Sequence, residues 1–130
     1  MIIDSSALVA VLFREADAEK LMTAMHAAER RRMATPNWLE TWMVFEGRTS
    51  PESHARLDDV LADPEIKLVP FDAELAARAR MANRRFGKSR HDARLNFGDC
   101  MAYALAKQTG EPLLFIGNDF IHTDITPALT

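Results

Sequence analysis

Four acidic residues, Asp4, Glu40, Asp99 and Asp119, occupy places where carboxylates can do chemistry. Asp4 directly follows the apolar opening Met1-Ile2-Ile3, and Asp119 follows the apolar run Leu113 to Ile116 through a Gly117-Asn118 turn. Asp99 opens a helical stretch whose same-face neighbours Ala102, Tyr103 and Ala106 are mostly small. Glu40 lies among Trp38, Leu39, Trp42, Met43, Val44 and Phe45. On a helical wheel it falls with Met43, Val44 and Gly47, whereas Asn37, Thr41 and Arg48 make the polar stripe. A carboxylate buried in such company requires a cation, a strong donor or a raised pKa. Each acid also has a simpler use: Asp4 as a helix cap, Asp99 as a helix-start charge, Asp119 as a turn residue, Glu40 as an arginine's partner. Collected at one edge, the four would repel one another, and a bound cation or shared protons would resolve that.

The donor set indicates which cation. Cys100 is the only cysteine, and His26, His54, His91 and His122 show no metal-ligand spacing, which argues against structural zinc. Carboxylate oxygens suit Mg²⁺ or Mn²⁺. Such ions polarise a phosphodiester and generate hydroxide from water. The chain's net charge is −3, yet Arg78, Arg80, Arg84, Arg85, Lys88, Arg90 and Arg94 crowd one stretch against the single acid Asp92. Arg30-Arg31-Arg32 is a second basic run. Acids for a metal beside arginines for a phosphate backbone suggest phosphodiester hydrolysis.

These residues need a scaffold that brings strand ends together. Met1 to Ile3, Met33 to Thr35, Ile66 to Phe71 and Leu113 to Ile116 read as short strands. Helices are expected over 7–13, 16–31, 37–48 with Asn37 as cap, 51–62, 73–86 with Asp72 as cap, and 98–109 ending at Gly110. Gly87 to Asn96 reads as a basic loop. Short apolar strands alternating with helices imply a three-layer α/β/α domain around a central parallel sheet of four to five short strands. Ligands of such sheets bind beyond the C-terminal strand ends, the shared address of Asp4 and Asp119. With 130 residues, 48% apolar and 27% charged, the chain suits one domain and excludes a disordered tail, a collagen-like repeat and a disulfide-stapled module. Its longest apolar run, Ala7 to Phe13, falls far short of the roughly 20 residues of a membrane span. No basic leader precedes it, and a cytoplasmic protein with no membrane partner is expected.

Three stretches are similar to a known family: Met1-Ile-Ile-Asp-Ser-Ser-Ala-Leu-Val-Ala10, Pro36 to Glu40, and Arg85 to Ala106 with Gly110-Glu-Pro-Leu-Leu-Phe115 behind it. The most specific part is Asn96-Phe-Gly-Asp99-Cys. Over nearly its whole length the chain resembles a PIN-domain ribonuclease, more narrowly a VapC-type toxin of a bacterial type II toxin–antitoxin pair. The resemblance implies a single PIN domain over 1–130 in which Asp4, Glu40, Asp99 and Asp119 hold one or two Mg²⁺ or Mn²⁺ ions for endonucleolytic RNA cleavage. It also implies a VapB-type antitoxin that blocks the site, a toxin homodimer and a toxin–antitoxin hetero-oligomer. Close relatives often carry Lys-Gly-Asp-Asp-Phe where this chain has Ile116-Gly-Asn-Asp-Phe120. Asn118 can coordinate through its amide oxygen but brings no charge, which implies a weaker second metal position.

Supporting parts are expected from Ser6 beside a metal ligand, Asn96 near Asp99, Asn118, and Asp124 as a spare acid ranked below Asp119. Arg85, Lys88, Arg90 and His91 are candidates for contact with RNA or with an acidic antitoxin segment. Trp38, Trp42 and Phe45 read as core or dimer-interface residues. A phosphoryl-transfer enzyme would want a second aspartate where Ser6 stands. The remaining alternative is a catalytically inactive PIN-fold module that binds RNA or protein.

Overall fold

The computed structural model describes residues 1–54 and 65–129. Four strands, β1 (Ile2–Ile3), β2 (Arg32–Ala34), β3 (Lys67–Val69) and β4 (Leu113–Leu114), form one sheet in the order β3-β2-β1-β4. All neighbours are parallel, with Ile2 opposite both Arg32 and Leu113 and with Met33 opposite Leu68. The helices are α1 (Ser5–Leu12), α2 (Ala18–Ala27), α3 (Thr35–Arg48), α4 (Ala73–Phe86) and α5 (Phe97–Thr109), followed by a 3₁₀ turn at Phe120–His122.

Successive strand residues point to opposite faces, and the core divides accordingly. Ile2, Ala34 and Leu113 pack with Leu75, Phe86 and Leu105 of α4 and α5. Ile3, Met33 and Leu114 pack with Leu8, Leu21 and Met25 of α1 and α2. Both sheet faces are therefore covered, and the expected three layers form. Backbone 126–128 folds back onto β4, with Leu113 N donating to Thr126 O at 2.9 Å and Ala128 N to Leu113 O at 2.8 Å. From β1 the chain moves outward to β2 and β3, then returns to place β4 on β1's other side. Such a reversal opens a crevice beyond the C-terminal strand ends, between β1 and β4.

Local chemistry sets most boundaries. Asp72 caps α4 by accepting from Leu75 N at 3.0 Å, as expected. Gly110 closes α5 with φ +68°, a conformation that other residues adopt only with strain. α2 is shorter than the expected 16–31, because Arg31 turns back to donate to Met25 O (2.9 Å) and Ala28 O (2.7 Å) at its end. Arg32 pairs with Glu111, so two cations of the second basic run are structural. α3 differs more. It starts at Thr35 with Pro36 in its first turn, where proline's fixed φ is pre-organised, and Asn37 is inside the helix instead of capping it. Residues 51–54 are helical, and the rest of the expected 51–62 helix lies outside the described residues. No helix among the described residues is long and apolar enough to cross a membrane.

Candidate active site

Asp4 sits where β1 enters α1. Its side chain caps the helix, with Oδ2 accepting from Ser6 N at 3.0 Å and from Ser6 Oγ at 2.5 Å. The Ser6 hydroxyl in turn accepts from Ile116 N at 3.1 Å, and Asp4 N donates to Leu114 O at 2.9 Å. The β1 exit is thereby tied to the β4 exit through the Ser6 hydroxyl. Asp4 is 2% exposed, and its Oδ1 has no hydrogen-bond partner among the described residues. Burial pushes its pKa up to about 7; Ser6 opposes the shift, and the charges of Asp99 and Glu40 reinforce it.

Asp99 and Asn96 form a reciprocal capping box at the start of α5. Asp99 N donates to Asn96 Oδ1 and Asn96 N donates to Asp99 Oδ2, each at 2.9 Å. Asn96 therefore caps α5 and hydrogen-bonds Asp99 at once. Burial raises the Asp99 pKa against the Asn96 bond; Asp119 and Glu40 add to the rise and Lys88 counters it. Cys100 beside it is buried, and its thiol is pushed up to about 11 by burial and then by Asp99, which keeps it protonated.

Glu40 overturns its helical-wheel reading. In α3 the buried residues are Asn37, Thr41 and Phe45, while Leu39 and Met43 are exposed. Asn37 and Thr41 of the polar stripe turn inward because their polar groups find partners, while Arg48 stays exposed: Asn37 Nδ2 donates to Gly98 O at 3.0 Å and Thr41 Oγ1 to Asn37 O at 2.9 Å. Glu40 is half-buried, and its partner is a hydroxyl instead of an arginine, with Ser5 Oγ donating to Oε2 at 2.7 Å. A Cβ on Gly98 would lie 2.7 Å from Glu40 Oε2, so glycine at 98 is what admits this carboxylate to the start of α5. Sequence reasoning missed Ser5, Gly98 and Asn37; the Ser5-Ser6 doublet was the only local signal.

Asp119 follows Gly117, whose φ of +101° turns the chain after β4. It is exposed, as is Asn118, and its side chain makes no capping bond among the described residues. The four acids thus share one edge, close enough that the charges of Asp99 and Glu40 act on Asp4 and those of Asp119 and Glu40 act on Asp99. Among the described residues, however, no three His, Cys, Asp or Glu side chains converge closely enough to hold a metal ion as they stand. The residues nevertheless fit a hard cation: every donor is an oxygen, Asp4 Oδ1 is buried without a partner, and Gly98 leaves space for a second carboxylate.

Three other expected residues have different duties. Asp124 is no spare ligand: Tyr103 Oη donates to it at 2.6 Å, Lys107 Nζ at 3.1 Å and Arg85 Nη1 at 3.3 Å. Arg85 is also placed 4.6 Å over the Phe86 ring, which occupies a cation expected to meet RNA. His91 accepts from Ala93 N at 3.0 Å and packs edge-on against Phe86, which makes it a loop-shaping residue. Lys88 acts electrostatically on Asp99, and with Arg80 it lines a groove of about 770 Å³ beside Asn96. Arg90 is exposed on the loop. Trp38 packs with the α1–α2 core and edge-on against Trp42, and Phe45 is buried against Phe13, consistent with core roles.

Known proteins bear on this geometry. Residues 1–125 match the PIN domain family. Ribonuclease VapC30 of Mycobacterium tuberculosis is 49% identical over 125 residues, covering 96% of this chain and 95% of that protein. Ribonuclease VapC42 of the same species is 45% identical over 131 residues, covering all of both chains. Among solved structures, M. tuberculosis VapC20, titled a Sarcin-Ricin loop cleaving toxin, superposes with TM-score 0.73 at 16% identity over 97% of this chain and 98% of that one. A toxin–antitoxin complex from Klebsiella pneumoniae gives 0.69 at 17% identity, covering 95% and 92%. At those identities the two structures testify to the fold, and the closer sequence relatives carry the chemistry. With its α/β/α sheet and its acids at the β1–β4 edge, the chain belongs to the PIN-domain family, among the VapC ribonuclease toxins.

Proposed function

We propose that this protein is a divalent-metal-dependent endoribonuclease, the toxin of a bacterial toxin–antitoxin pair, with Asp4, Glu40, Asp99 and Asp119 as its Mg²⁺ or Mn²⁺ ligands. The observation that carries the proposal is Asp4 Oδ1, a buried carboxylate oxygen without a partner among the described residues, at the crevice where the fold directs ligands. Bound there, a divalent ion would polarise the scissile phosphodiester and make water nucleophilic at neutral pH.

The chain's own residues perform the positioning. Ser6 holds one Asp4 oxygen and leaves the other available, while Ser5 aims Glu40. The capping box fixes Asp99 relative to the α5 backbone. Asp119 and the amide of Asn118 offer oxygen donors from the exposed turn after β4. Lys88 and Arg90 supply positive charge for RNA phosphates on the groove side. The substrate class is RNA, whether transfer, ribosomal or messenger. A cognate VapB-type antitoxin inhibits the cytoplasmic toxin, which assembles as a homodimer and with that antitoxin as a hetero-oligomer.

The test is cleavage of a structured RNA pool by purified protein with Mg²⁺, with Mn²⁺ and with EDTA, with Asp99→Asn alongside. Metal-dependent cleavage that the variant lacks supports the proposal. RNA binding without cleavage in any of these buffers would favour the inactive binding module instead.

A further inference from the structure

Asn37 is buried in α3, where the ordinary uses of an asparagine do not explain it. It is 1% exposed, so its contacts belong to the fold whatever packs on α3 from outside. It does not cap the helix, which starts at Thr35 after Ala34 and carries no side-chain cap bond. Nor is its amide fully used. Nδ2 donates to Gly98 O at 3.0 Å, while Oδ1 is buried with no partner among the described residues. Burying an amide costs stability where a hydrogen bond is missing, and a leucine of almost the same shape would fill the position without that cost. The explanation therefore lies with the one bond the amide does make.

That bond joins two helices at the acids. Asn37 and Glu40 lie about one turn apart along α3, and Gly98 directly precedes Asp99 in the first turn of α5. Among the described residues it is the one hydrogen bond between α3 and α5. The approach it spans is close, since a Cβ on Gly98 would stand 2.7 Å from Glu40 Oε2. The approach is also opposed, because the charges of Glu40 and Asp99 repel. Ser5 restrains the Glu40 carboxylate from α1, and the capping box restrains Asp99 within α5, but neither bond crosses from α3 to α5. The Asn37 amide, neutral and out of water, does cross.

We infer that Asn37 is a positioning residue of the nuclease: by holding the first turn of α5 to α3, it sets the separation of the Glu40 and Asp99 carboxylates so that both can reach one divalent ion. The inference deepens the metal-dependent reading above and rests on it. Asn37 touches neither RNA nor the ion in this role, and acts through the two backbones it joins. Its effect therefore belongs to the metal affinity of the acidic pair and not to the stability of the core, which separates it from a residue that merely packs.

The test compares the full chain with Asn37→Leu in the absence of RNA. In EDTA the variant should melt at or above the wild-type temperature, because a buried oxygen without a partner is removed and Gly98 O keeps its place in the helix. Hydrogen exchange at the Asp99 and Cys100 amides, which donate to Asn96, should nevertheless quicken about tenfold once the first turn of α5 has lost its tether. With Mn²⁺ alone, titrated by the EPR signal of the free ion, the variant should bind about tenfold more weakly, the scale on which residues behind metal ligands act. In a Glu40→Gln background the same substitution should add less than about threefold, since one of the two carboxylates it positions is gone. Asn37→Ser, too short to reach Gly98 O and unable to clash, should repeat the loss, and it replaces leucine if that variant does not fold. Mn²⁺ affinity within about twofold of wild type overturns the inference. So does a lowered melting temperature with unchanged exchange at Asp99 and Cys100, which would make Asn37 a packing residue. Wild-type protein that takes up no Mn²⁺ fails the metal-dependent reading and this inference with it, whereas Mn²⁺ uptake that both variants leave untouched fails the inference alone.

Discussion

Asp4 and Asp124 are both aspartates near the end of a structural element, and the fold treats them oppositely. Burial disfavours the charge of each. At Asp124, Tyr103, Lys107 and Arg85 outweigh burial and hold the carboxyl below its ordinary range. At Asp4 only Ser6 helps, two further acids oppose ionisation, and one oxygen is left without a partner among the described residues. The first arrangement is a staple joining the C-terminal segment to α5. The second is a cost to the metal-free protein that a proton or a bound cation would offset, which is how the proposed ligand site would differ from a structural ion pair.

The largest expected effect separates the two directly. Asp4→Asn or Asp99→Asn should lower RNA cleavage at least about a hundredfold, whereas Asp124→Asn should leave it within a few-fold. Equal losses at all three positions would erase the distinction. Next in size is the pH dependence of the metal-free protein. Folded Asp4 keeps its proton up to about pH 7, whereas the unfolded chain releases it near its ordinary value of 3.8. Between those limits the native state binds more protons, so stability falls as pH rises from about 4 to about 7, by a few kcal/mol at most. Asp4→Asn should remove that slope, and Mg²⁺ should reverse it, as read from thermal melts in EDTA and in Mg²⁺. Asp124 acts in the opposite sense: its contribution is present above its unfolded pKa and is lost as pH falls through its lowered folded pKa.

Gly98→Ala sharpens the comparison further. The new Cβ would displace the Glu40 carboxylate, a side-chain end held by Ser5, and leave the core intact. Cleavage should fall about tenfold, with weaker apparent Mg²⁺ affinity in a metal titration and an unchanged melt. The smallest effect is the stability loss of Asp124→Asn, about 1 kcal/mol by urea unfolding, because Arg85 and Lys107 are solvent-screened partners and only the Tyr103 bond is partly buried.

What could be read from the sequence divides along physical lines. Strand–helix alternation gave the layers, because parallel strands covered on both faces must be short apolar runs. Asp4, Asp99 and Asp119 were legible because strand ends and helix starts have local signatures. The inward face of α3 was not. Periodicity assigns polar residues to water, and nothing near Asn37 or Thr41 reveals that Gly98 O and Asn37 O await them. The roles of Arg85 and Asp124 were hidden for the same reason, since their partnership spans 39 positions. The dependence of Glu40 on Gly98 requires the two helices to be already packed.

The pairing of β1 with β4 has a consequence for how the acidic edge can form at all. The backbone N–H of Asp4 waits for Leu114 O, and Ser6 waits for Ile116 N, a partner 110 positions away. Until β4 docks on β1, Asp119 is absent from the edge and the acids remain scattered along the chain. The edge is thus a product of long-range folding, and no fragment that lacks either strand assembles it.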